Sequence, residues 1–119
     1  MERNYLTADT EMPPSMPYPR FLADMKISST AKLLYVRLLD KTVNEKEEDD
    51  KGYLYTRFPI SEQMAVLSKS DAAVKRALLE LEQAGLLERK RQGRGTPKNL
   101  YFHTNTVDEN EIVLLCHLL

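Results

Sequence analysis

The stretch SEQMAVLSKSDAAVKRALLELEQAG, residues 61–85, decides the fold. Ser61 offers a capping hydroxyl, and Glu62 follows in the first turn, where the helix dipole favours an acid, so a short helix is expected over 62–67. Ser68 and Lys69 make a tight turn. Ser70 caps a second helix, on which Val74, Ala77, Leu78 and Leu81 recur at helical spacing until Gly85 supplies the left-handed terminator. Helix, three-residue turn and helix in succession make a helix-turn-helix.

Working upstream, Leu54-Tyr55-Thr56-Arg57-Phe58 alternates with period two and is stopped by Pro59, the pattern of a short edge strand. The hydrophilic run before it, residues 44–51 (NEKEEDDK), is expected to be a solvated loop because its charges repel one another. A helix over 29–43 precedes that run. It opens on the capping hydroxyls of Ser28-Ser29-Thr30 and carries Ala31, Leu34, Tyr35, Leu38 and Thr42 on one face. Leu33 and Val36 fall on the opposite face, so this helix is expected to pack against something beyond its own core. Four of the six prolines, Pro13, Pro14, Pro17 and Pro19, make residues 1–20 an extended arm.

Downstream of Gly85, residues 86–91 and 98–102 each have the character of a strand, and Gln92-Gly93-Arg94-Gly95-Thr96-Pro97 between them suits a glycine-hinged hairpin loop. The element order predicts an α+β winged helix-turn-helix over residues 21–103, with a three-helix core and a small antiparallel β-sheet forming the wing. Residues 104–119 end in DENEIVLLCHLL, which starts like an acidic helix N-terminus and stays apolar to Leu119. That segment is expected to be a docking or dimerisation helix, or a linker into a further region.

Composition removes most other classes. With 119 residues the chain can bury roughly two-thirds of its unfolded surface, enough for one modest core and little room for a deep substrate cavity. One cysteine, Cys116, excludes an intramolecular disulfide and multi-Cys zinc sites, and His103 and His117 stand far apart, so no metal or other cofactor is expected. Adjacent Cys116 and His117 point in different directions on a helix, which leaves no nucleophile with a paired base. Neither catalysis nor a small-molecule substrate is expected. The Gly93–Lys98 segment superficially resembles a phosphate loop, but it leads into a strand rather than a helix N-terminus, and nucleotide binding is rejected. The apolar stretch at residues 112–119 is far shorter than the ~20 residues that span a bilayer, and the start lacks an apolar signal core. A cytoplasmic protein is expected.

The helix after Ser70 turns Ala72, Lys75, Arg76 and Leu79 away from its core stripe. Small Ala72 permits close approach to a duplex, Lys75 and Arg76 can reach phosphates or a guanine edge, and Ser70, chiefly a helix cap, can also donate to a phosphate. Residues 86–103 carry Arg89, Lys90, Arg91, Arg94 and Lys98 against one acid, Glu88, in a chain whose net charge is -1. Cations are thereby concentrated on one hairpin, where Arg94 can enter a minor groove or follow phosphates and Arg89 can instead pair with a carboxylate. The plain alternative for both faces is a solvated charged surface. Tyr35, Tyr55, Tyr101 and Phe102 have core-compatible spacing and are assigned to the core rather than to base stacking.

Four segments resemble the N-terminal domain of the plasmid replication initiator A proteins of Gram-positive bacteria. Tyr18-Pro19-Arg20-Phe21-Leu22 is similar to the segment that leads into that domain. Ile27-Ser28-Ser29-Thr30-Ala31-Lys32-Leu33-Leu34-Tyr35 with Leu38-Leu39-Asp40 resembles its first helix, the most specific of the four signals. Ser70-Asp71-Ala72-Ala73-Val74-Lys75-Arg76, with Leu81 through Gly93, resembles its recognition helix and the start of its wing, and Gly95 through Tyr101 the return strand. The resemblance spans about residues 18–103. It implies specific duplex binding, often to repeated sites by a dimer, at the replication origin of a plasmid or mobile element. The expected DNA contacts are Ser70, Asp71, Ala72, Lys75 and Arg76 on the helix and Arg89, Arg91, Arg94 and Lys98 on the hairpin. A homodimer is expected from the apolar surface of the arm, the Leu33/Val36 face and the C-terminal segment. The competing readings are a transcriptional regulator and a winged helix used only for protein interaction.

Overall fold

The structure, a computed structural model, describes residues 5–91 and 99–102. Residues 5–19 form no helix or strand; Pro17 and Pro19 are buried at their end, where the chain enters α1, Arg20–Ala23. The long helix α2, Ser29–Glu45, begins where Ser28 Oγ accepts the N–H of Ala31 at 3.2 Å, satisfying a donor that the first turn leaves free. Its buried residues, Ala31, Leu34, Tyr35, Val36, Leu38, Leu39, Thr42 and Val43, cover far more than one stripe. The expectation for Val36 is therefore corrected: it is 6% exposed and belongs to the core, whereas Leu33 is 53% exposed. The reason is that α2 is touched from several sides, by α3 (Ile60–Leu67), α4 (Asp71–Gln83) and β2 (Leu54–Arg57), so that two faces are buried within one protomer.

The acidic run is also corrected. Asn44 and Glu45 complete α2, Lys46 takes the left-handed conformation at φ 52°, and Glu47–Glu48 form a strand, β1, paired antiparallel with β2. The Asp49 carboxylate closes the turn by accepting the N–H groups of Lys51 and Tyr53, each at 2.9 Å, and Gly52 supplies φ 82°. The Tyr53 N–H in particular holds the Asp49 pKa below its ordinary value. Charge repulsion, the basis of the loop expectation, is relieved because a strand sends successive side chains to opposite faces.

The second helix of the pair, α3, starts one residue before the expected cap. Pro59 occupies the N-cap without a side-chain hydrogen bond, and Ser61 lies inside the first turn. The corner between β2 and α3 is closed instead by buried Gln63, whose Nε2 donates to the Phe58 carbonyl at 2.5 Å. Strands β3, Leu87–Lys90, and β4, Asn99–Phe102, complete a four-stranded antiparallel sheet in the order β1-β2-β4-β3. Leu87 stands opposite Phe102 and Lys90 opposite Asn99, the register of a hairpin. The expected glycine-hinged loop between them, from Gln92 to Pro97, lies outside the described residues, as do Lys98, His103 and the 104–119 segment with Cys116 and His117.

One core joins sheet and helices. Leu22, Leu34, Tyr35, Leu38, Val74, Leu78, Leu81 and Leu86 are essentially inaccessible to solvent, and each large side chain is worth roughly 1.5–3 kcal/mol of transfer free energy. Tyr35 anchors it with edge-to-face contacts to Phe21 at 6.0 Å and Phe102 at 5.2 Å, linking α1, α2 and β4. The architecture is a winged helix: α2, α3 and α4 against a small antiparallel sheet.

Candidate nucleic-acid interface

Two hydrogen-bonded ends fix α4 in place. At its start Ser70, in extended conformation, accepts the Ala73 N–H on its Oγ at 3.2 Å. At its finish the Leu86 N–H reaches the Leu81 carbonyl and the Gly85 N–H the Glu82 carbonyl, each at 3.0 Å, with Gly85 at φ 76°. That is the 6→1 and 5→2 pattern of a Schellman motif, and the positive φ at this position is why glycine stands there. Between the ends, Val74, Ala77, Leu78 and Leu81 are buried.

The tertiary contacts of α4 fix which side faces out. Glu80 accepts the Ser28 N–H at 3.2 Å and the Ser28 hydroxyl, tying α4 to the first turn of α2. Glu82 forms an ion pair with Arg89 on β3 at 2.5 Å. Both acids thus serve the scaffold. Opposite its buried stripe, α4 presents Ala72, Lys75, Arg76 and Leu79 to solvent, the last 50% exposed, with the two acids at the margins of that face.

The predicted contact residues divide accordingly. Ser70 spends its hydroxyl as an acceptor on the cap. Asp71 and Lys75 pair with each other across one turn at 2.9 Å on the outer face. Ala72 and Arg76 are exposed, and Arg76 makes no ion pair with a described residue. Arg89 is half-buried on Glu82, which selects the carboxylate-pairing role over a free cation. Arg91 is exposed just beyond β3, while Arg94 and Lys98 lie outside the described residues.

Two further exposed cations were left out by sequence reasoning. Lys69 is exposed in the turn between α3 and α4, a position that the helix-turn-helix pattern itself could have flagged. Arg57, exposed on β2, donates from Nε to Asn99 Oδ1 at 3.1 Å and lies 5.8 Å from the Tyr55 ring centroid. Lys90 sits 4.7 Å from the Tyr101 centroid. These cations occupy the tyrosine faces, and Tyr101 is buried, in keeping with packing rather than base stacking.

Three solved structures share this fold with the chain. One, described as the N-terminal domain of a DNA-binding protein, is 22% identical, with 96% of this chain and 93% of that one covered and a TM-score of 0.62. A second, an MDR initiator, is 20% identical over 88% of each chain with a TM-score of 0.65. A third, a Rep–DNA complex, is 20% identical over 96% of this chain and 95% of that one with a TM-score of 0.63. No curated protein matches the chain. Residues 20–115 match the family described as Replication initiator protein A (RepA) N-terminus. That span takes in the whole helix-turn-helix and both strands of the wing hairpin, and the chain belongs to this replication initiator family.

Proposed function

We propose that the domain serves replication initiation by binding duplex DNA sequence-specifically, with α4 in the major groove and the β3–β4 hairpin on the adjacent backbone. The observation that carries this reading is the outer face of α4: a small residue, Ala72, flanked by Lys75 and Arg76, on a helix whose acids Glu80 and Glu82 are engaged with the scaffold while Asp71 pairs with Lys75 on that face. The family to which the chain belongs and the Rep–DNA complex it resembles support the same assignment. The hairpin cations supply sequence-independent attraction, and the α4 face supplies base contacts. The domain acts as a homodimer, is a binding module rather than an enzyme, and works in the cytoplasm of its host; no described helix is long and apolar enough to cross a membrane.

Selection of bound duplexes from a random pool tests this reading. A common sequence motif recovered at low salt, bound much more tightly than unrelated duplex, is the expected result. Failure of this chain and of a longer one to bind any duplex selectively would overturn it in favour of a protein-interaction winged helix.

A further inference from the structure

Asp71 is an anomaly on a surface that meets a polyanion. The helix does not need it as a cap, since Ser70 already accepts the free N–H of Ala73. Unlike Glu80 and Glu82 it has no partner on another element among the described residues: its carboxylate holds Lys75 at 2.9 Å, with both side chains more than half exposed. An exposed pair of this kind adds little to stability. Lys75 is screened by a fixed negative charge, and that same charge is repelled by phosphates on any duplex.

The geometry points to Asp71 as a specificity-determining residue that lowers affinity for DNA at large and is compensated only where a base edge offers an exocyclic amine, of cytosine or adenine, to its carboxylate. On such a site the amine replaces Lys75 as hydrogen-bond donor to Asp71, and Lys75 is released to a phosphate. On other sequences Asp71 keeps Lys75 or is left facing the backbone unpaired. Discrimination then arises from a repulsive element beside the attractive ones. This rests on the duplex-binding reading and names one of its determinants.

The test is a two-residue cycle with wild type, D71A, D71N, K75A and D71A/K75A. Each is titrated with the selected duplex and with a shuffled duplex of the same composition over a series of salt concentrations. D71A is expected to bind the shuffled duplex more tightly, with the magnitude of the log-log salt slope raised by about one unit as Lys75 becomes available. The same variant should bind the selected duplex about fivefold or more weakly. K75A should weaken shuffled binding, and the double variant should return it towards wild type. D71N keeps the size of the side chain at the helix start and guards against a folding defect; it too should tighten shuffled binding. If wild type is selective while D71A and D71N leave the selected-to-shuffled ratio unchanged, this proposal fails and duplex binding stands. Parallel weakening of both duplexes together with a lowered melting temperature would also overturn it. No selectivity in wild type would remove the duplex-binding reading and this proposal with it.

Discussion

Two neighbours on α4, Arg76 and Glu80, do opposite work, and single substitutions separate them. Arg76 is exposed with no described ion-pair partner, so its guanidinium fork is available to a guanine edge. Arg76→Ala is expected to cost roughly 1–3 kcal/mol on the preferred duplex and much less on random DNA. Arg91→Ala, removing a hairpin cation, should weaken both duplexes alike and lower the magnitude of the salt slope by about one unit. Equal losses on the two duplexes for Arg76→Ala would assign it to phosphate instead. Glu80 instead holds the N-terminus of α2 through Ser28. Glu80→Ala should lower stability by about 1 kcal/mol in urea unfolding while leaving the preference among duplexes intact in the folded fraction.

At the scale of elements, the turn between α3 and α4 carries a conformational cost. Ser68 ends α3 at φ 53°, in the left-handed region where a Cβ is disfavoured. Ser68→Gly should stabilise the domain by about 0.5–1 kcal/mol, read as a raised urea midpoint at constant m, and Gly85→Ala should destabilise it by a similar or larger amount. The helix-turn-helix was legible because its determinants are local: one apolar stripe on α4, a serine before it and a glycine after it. Elements whose causes are distant were not. Glu47 and Glu48 have no preference for strand, and β1 exists because the Asp49 turn delivers them to β2. Val36 could not be assigned to the core from an amphipathic pattern, since α2 is buried on more than one side. The outer face of α4 was legible through helical geometry alone. The fate of Arg89 was not, because Glu82 meets it only after the chain has turned at Gly85. Ser28 and Glu80 are separated by 52 residues, beyond the reach of any periodicity.

For the whole molecule the question is what covers its remaining apolar surface. Tyr5, Leu6, Met12 and Tyr18 in the segment before α1 are exposed, and so are Leu33 on α2 and Leu79 on α4. Burial of Val36 removes one member of the α2 face on which a dimer was expected, and Leu33 is the member of that face that remains exposed. A two-fold homodimer, as proposed, would cover some of these residues with its own copy and present two α4 helices to half-sites one or more helical turns apart, about 10.5 base pairs each. Repeated or palindromic half-sites in the selected duplexes, with that spacing, would accord with it. Sedimentation at micromolar concentration should give twice the 13.7 kDa mass of the chain. A single 13.7 kDa species would count against the dimer, in which case Leu33 and Leu79 await a different partner. Deleting residues 108–119 locates the contact: a dimer that persists assigns the interface to the described domain and its N-terminal segment, and one that dissociates assigns it to the apolar C-terminal stretch.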